Sequence, residues 1–245
     1  MSQPLLIAHR GASAQHRENA PAAWQAAIAA GAAMIEADVR MSADHRIVIC
    51  HDPDLARIAG SPDVIAETPF AELQRHSADD APAAPPLSQL FATVPPRQPI
   101  LFDVKDERPV ALALLVEAAL ASGRENLTFG LHRVESLRRL RALGWHGDVL
   151  GLLRDMSEAE AFFAEGGTIL RLWEGPALAD PRSLAAHIAA HRPVWITTGG
   201  CDGRRAGDHA DASLRQLRDL GATGFLVNDP AACRAVLTRY AEPQA

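Results

Sequence analysis

Cysteine is scarce in this 245-residue chain: Cys50, Cys201 and Cys233 are odd in number and widely spaced. They make neither a disulfide framework nor a zinc pattern, and are expected to be small buried hydrophobes. No apolar run approaches the ~20 residues of a membrane span. The N-terminus passes into Pro4-Leu5-Leu6-Ile7-Ala8 without a basic region or cleavage site, so a cytoplasmic protein is expected. An excess of positive charge is also missing. The formal net charge is −6 and the pI about 5.9, which argues against nucleic acid or an anionic membrane as partner. An anionic substrate would need a cation or placed Arg, Lys and His in the site itself. Several catalytic signatures are absent too. The first loop, His9-Arg10-Gly11-Ala12-Ser13, is not a dinucleotide-binding G-x-G-x-x-G. Nothing resembles a serine nucleophile elbow, no His-x-His marks a metal-dependent amidohydrolase, and His187 and His191 lack the Glu of H-E-x-x-H and read as packing or surface residues.

What is present is an alternation. Short apolar runs recur at Leu5–Ala8, Met34–Val39, Ile100–Val104, Leu127–Leu131, Asp148–Leu153, Thr168–Trp173, Val194–Thr198 and Gly224–Val227. Helical periodicity falls between them, at Ala22–Ala30, Pro109–Ser122, Val134–Leu143, Ser157–Glu165, Pro181–Ala190 and Ala212–Leu220. Strands alternating with helices imply parallel pairing. Eight repeats in a chain close to the ~250 residues usual for the fold predict an α/β protein, a (β/α)8 TIM barrel. An extra run, Ile47–Cys50, follows the second strand too closely for a parallel crossover and must fold back as an antiparallel hairpin. A turn centred on Ala43-Asp44 would set Glu36 opposite His51. Residues 53–99, rich in Pro and Ala with short helical pieces at Phe70–Arg75 and Leu87–Phe91, read as a small irregular insertion covering the site without a core of its own. Residues 1–245 are thus read as a single barrel domain, and the chain after Tyr240 as a frayed tail.

Barrel sites lie at the C-terminal strand ends. The polar residues there are His9 and Arg10, Glu36 and Asp38, His51 and Asp52, and Asp103 and Lys105. Glu36 and Asp38 are two apart and leave one face of their strand, as do Asp103 and Lys105. Two carboxylates about 4 Å apart repel by about 4 kcal/mol even at an effective dielectric near 20. One of them is protonated, a cation sits among them, or Arg10 and Lys105 pair with them. An oxygen-only set favours a hard ion, Mg2+ or Ca2+. Two histidines beside carboxylates and an Arg suit general acid and base roles, and the planar fork of Arg10 matches phosphate oxygens. Gly11 is expected to let the loop approach a ligand closely. Trp195 is a candidate to line the pocket of the leaving alcohol.

In order and spacing, His9-Arg10-Gly11, Glu18-Asn19-Ala20, Glu36-Ala37-Asp38-Val39, His51-Asp52 with Leu55 and Arg57, Pro86–Leu90, Leu101–Lys105, Trp195 with Thr197, and Val227–Pro230 resemble the glycerophosphodiester phosphodiesterases. The resemblance implies a barrel with an insertion after the second strand. It also implies hydrolysis of glycerophosphodiesters to sn-glycerol 3-phosphate and an alcohol, with a lyase-like phospholipase or a non-catalytic binding protein as alternatives. It assigns Glu36, Asp38 and Asp103 to a divalent metal and His9 and His51 to the acid/base pair. Arg10 and Lys105 would contact phosphate, with Glu18 and Asn19 shaping the loop beneath it. The expected partner is a small glycerophosphodiester, and the expected state a monomer or homodimer. Three features depart from the family pattern: Asp103 where Glu is usual, His132-Arg133 ending the fourth strand, and the charged Arg171-Leu172-Trp173-Glu174. The last two fall where the leaving alcohol would lie.

Overall fold

The computed structural model describes residues 3–239; the tail expected after Tyr240 lies outside them. In chain order the strands are β1 (Leu5–Ala8), β2 (Met34–Met41), β3 (Ile47–Ile49), β4 (Ser77–Ala78), β5 (Ala81–Pro82), β6 (Ile100–Val104), β7 (Leu127–Leu131), β8 (Val149–Gly151), β9 (Ile169–Trp173), β10 (Val194–Thr197) and β11 (Gly224–Val227). Eight of them are parallel neighbours, from β2 through β6 to β11. Both β11 and β2 pair with β1, so the sheet closes. The fold is the expected (β/α)8 barrel. Four of the apolar runs, including Ile100–Val104, coincide with their strands to the residue; the others shift by one or two at their ends.

Side chains alternate across each strand. Leu6, Ile35, Phe102, Phe129, Ile196 and Phe225 face outward to a core shared with the helices. Ile7, Leu101, Leu150, Trp195 and Leu226 face inward and pack against one another, filling the barrel. Two helices escaped the periodicity, Glu174–Ala179 and Pro230–Arg239. The second is capped by Asp229, whose Oδ1 accepts from Ala232 N at 2.9 Å.

The hairpin forms, with a register shifted from the expected one. Val39 opposes Ile49 and Met41 opposes Ile47, and Cys50 N donates to Asp38 O. Glu36 therefore does not face His51. The cause is the connection: Ser42 N bonds Arg46 O, leaving Ala43, Asp44 and His45 as a three-residue loop in which His45 takes a φ of +63°. A loop with its last residue left-handed adds one position relative to a two-residue turn.

Residues 53–99 also differ from expectation in one respect. Leu55, Ile65, Leu73, Ala83 and Ala84 are buried together with Val48 and Cys50, so the segment has a small core, resting on β3.

Candidate active site

The loop after β1 is held by two contacts. Gly11 has a φ of +85°, and a Cβ there would meet the Ala23 carbonyl carbon at 2.6 Å. Gly11 thus lets the loop press on the helix Pro21–Ala29 rather than on a ligand, as had been expected. Arg10, itself left-handed at φ +59°, turns its backbone N–H onto Glu36 Oε2 at 2.6 Å. Its guanidinium lies 3.0 Å from Glu18 Oε1 and 3.1 Å from Asp38 Oδ2.

Glu36, Asp38 and Asp103 converge as the two-residue spacing implied: β2 and β6 pair Asp38 with Asp103, and one oxygen from each of the three carboxylates lies within 4.8 Å of the others. Lys105 Nζ sits 2.6 Å from Asp103 Oδ2 and 3.2 Å from Asp38 Oδ1. Burial works to raise Asp38 and Asp103, but Lys105 and Arg10 hold Asp38 below the usual carboxylate range, and Lys105 with His132 holds Asp103 well below it. At Glu36 the same two cations are outweighed. Burial, then Asp38 and Asp103, push it well above its ordinary value.

This constellation fits a hard divalent cation. Glu36 Oε1 is buried without a partner, Asp38 Oδ1 has only the Lys105 ammonium near it, and the donor set is all oxygen.

His9 is 9% exposed, and its Nδ1 lies 2.9 Å from Asn228 Oδ1. Asn228 donates both amide hydrogens elsewhere, to Ala206 O and to Asp208 Oδ1. Its oxygen must therefore face His9, so Nδ1 carries the proton and Nε2 carries the lone pair. Burial first, then Arg10, lower the His9 pKa to about 4. His51 is oriented differently, by Asp52 Oδ1 at 2.8 Å from its Nδ1. Asp52 is in turn held by Arg57, which also grips both oxygens of Glu18. The two imidazoles open onto separate cavities. His9 lines one of about 210 Å³ with Arg10, Ser13, Arg57 and Arg205. His51 lines one of about 490 Å³ with Arg40, Lys105 and His132.

Three further residues expected at the site differ in placement: Glu18 lines the cavity of His9, while Trp195 and Asn19 lie deeper. Trp195, 4% exposed, is packed among the inward-facing apolar side chains, with its ring over Gly224. It sits early in β10 and fills the barrel below the strand ends. Glu18 is engaged by Arg10 and Arg57, and Asn19 donates to Asp38 Oδ2 at 2.7 Å. Both orient other site residues. Conversely, Asn228 and His132 matter more than their sequence signal, a polar residue directly after an apolar run, had suggested. His132 Nε2 lies 2.8 Å from Asp103 Oδ1.

Residues 9–108, which carry the carboxylates, both histidines, Arg10 and Lys105, match the model of the glycerophosphoryl diester phosphodiesterase family. The part of the chain that carries the site is thus similar to this family. A human relative, lysophospholipase D GDPD1, is 29% identical over 137 residues, 50% of this chain and 43% of that protein. A glycerophosphodiester phosphodiesterase of Bacillus altitudinis is 33% identical over 73 residues, 30% of each chain. The chain thus spans less than half the length of the curated relatives it matches. Solved glycerophosphodiester phosphodiesterase structures share the fold. That of Thermotoga maritima superposes with a TM-score of 0.79 at 22% identity, over 96% of this chain and 99% of that one. An Oleispira antarctica phosphodiesterase, solved with the product sn-glycerol-3-phosphate, gives 0.79 at 20% identity over 96% and 97%. Among the described residues no helix is long and apolar enough to cross a membrane.

Proposed function

We propose that this protein is a glycerophosphodiester phosphodiesterase that hydrolyses glycerophosphodiesters to sn-glycerol 3-phosphate and an alcohol, in a divalent-cation-dependent reaction. The observation that carries the reading is the convergence of Glu36, Asp38 and Asp103, with a partnerless buried oxygen on Glu36, beside two oriented histidines. Those three carboxylates would hold Mg2+ or Ca2+, which when bound supplies Lewis-acid charge for the phosphate oxygens. Arg10 and Lys105 stand against the same carboxylates and contribute fixed positive charge toward the phosphate.

His9, neutral at pH 7 with its lone pair on Nε2, serves as general base. It removes a proton from the nucleophile, either water or the substrate's own glycerol 2-hydroxyl. The small cavity it lines is of a size for glycerol. His51, fixed through Nδ1 by Asp52, protonates the departing alkoxide from the side of the larger cavity. Attack by the 2-hydroxyl would gain from pre-paid entropy and pass through a cyclic phosphate. Because water opens the cyclic phosphate in the second route, both take one oxygen from water into glycerol 3-phosphate, and trapping of the cyclic phosphate separates them. The whole barrel acts as one catalytic unit in this reading, with residues 53–99 closing one side of the site through Arg57.

The test is direct. Glycerophosphocholine and glycerophosphoethanolamine are incubated with the protein and Mg2+, Ca2+ or chelator, and glycerol 3-phosphate is measured. Release that depends on the cation supports the proposal; no release with any ion refutes it for these two head groups.

A further inference from the structure

The larger cavity has a charge opposite to that of the protein. On a chain of net charge −6, its walls carry Arg40, Lys105, Arg133 and Arg154 against Asp52 and Glu107. The two carboxylates are already satisfied. Asp52 accepts from His51 and Arg57, and Glu107 accepts from the backbone N–H of His132, from Arg133 at 3.0 Å and from Ser136. Lys105 is occupied by Asp38 and Asp103.

Two guanidinium groups are left over. Arg40 donates only to the carbonyl of His51, at 2.7 and 3.1 Å, and Arg154 has no acceptor among the described residues. A third cation adds to the field. Arg171, buried with a partnerless Nε and stacked 4.3 Å from the centroid of Trp173, is near enough to Asp103 to interact with it electrostatically. A cavity of about 490 Å³ that opens on His51 with surplus guanidinium charge would repel a quaternary ammonium and attract a phosphate or carboxylate.

We infer that the leaving alcohol of the preferred substrate bears an anionic group, held by Arg154 and Arg40 in the cavity beside His51. This rests on the phosphodiesterase reading and specifies its substrate class. The departures at His132-Arg133 and Arg171 then share one cause, since both, like Arg154, add basic residues at the strand ends on that side of the barrel.

The experiment uses three glycerophosphodiesters that differ in the charge of the alcohol: glycerophosphocholine, glycerophosphoglycerol, and glycerophosphoglycerol carrying a terminal phosphate. Each is assayed with the cation in excess. We expect kcat/KM to rise in that order, with the anionic substrate favoured over the cationic one by about tenfold or more at low ionic strength. The ratio should shrink as KCl is added, because screening weakens only the charged term. Arg154→Glu, a change on the exposed rim, should lower the anionic-to-cationic ratio by about tenfold. Choline turnover equal to or above the anionic substrate, or a ratio indifferent to salt and to Arg154→Glu, overturns this inference and leaves the phosphodiesterase reading standing. No turnover of any of the three overturns both.

Discussion

At the scale of single residues, the site works by giving two chemically identical imidazoles different surroundings. His9 is enclosed, with its proton held on Nδ1 by an asparagine whose amide cannot turn; His51 is half-buried and backed by a carboxylate. His9→Ala and His51→Ala should each lower kcat by about 10²–10⁴-fold, the usual share of acid-base catalysis, and steady-state assays with saturating substrate will show it. The depressed pKa of His9 also has a stability consequence. Between about pH 4 and 6.5 the unfolded chain binds a proton at His9 that the folded protein does not, so stability rises with pH across that window. The contribution is fully present above 6.5 and is lost as the pH falls through it, amounting to about 3 kcal/mol in all. Urea unfolding of wild type and His9→Asn at pH 4.5 and 7 reads it. Wild type should lose more stability than the variant on acidification, and equal losses would refute the assignment.

At the scale of elements, the loop after β1 and the hairpin after β2 show how backbone geometry places chemistry. Gly11 is required because the loop packs on the carbonyl of Ala23, which cannot move without disturbing the helix Pro21–Ala29. Gly11→Ala should therefore cost about 1–3 kcal/mol of stability and, by shifting Arg10 off Glu36, lower kcat as well. Thermal melts and kinetics together distinguish this from His9→Ala, which should affect turnover with little change in Tm. The hairpin carries a different lesson. Its existence was legible from the short spacing between β2 and β3. Its register depended on a left-handed His45 in an exposed loop, a conformation that no residue pattern announced. The loop Gly199–Gly207 is similar. A glycine-rich stretch is visible in the sequence, yet only the fold shows Gly207 lying against Asn228 and His9, where a Cβ would meet Asn228 Oδ1 at 2.0 Å.

At the scale of the whole molecule, the carboxylates join neighbouring strands at the open end of the barrel, so an ion bound there stabilises the closed sheet by mass action. Mg2+ or Ca2+ at a hundredfold excess over its dissociation constant should add about 2.7 kcal/mol, seen as a rise in Tm that chelator reverses. Glu36→Gln should abolish that rise. In the presence of chelator the same variant should be more stable than wild type, increasingly so above the normal range of a carboxylate. Folded Glu36 retains its proton to higher pH than unfolded Glu36, so wild type loses stability as pH rises through that interval and glutamine does not. A wild-type Tm indifferent to both ions would remove the metal from the proposal.

Local chemistry, readable along the chain, determined the alternation of strand and helix, the shared face of Glu36 and Asp38, and the placing of His9, His51, Asp103 and Lys105 at strand ends. These follow from residue spacing, because a strand repeats its facing every second position. Closure of the barrel decided the rest. It set Asn228 against His9 across 219 positions, sent Trp195 into the interior, split the histidines between two cavities and gathered unpaired arginines around one of them. Such contacts join residues from separate strands and loops, and no local periodicity encodes the distance between those.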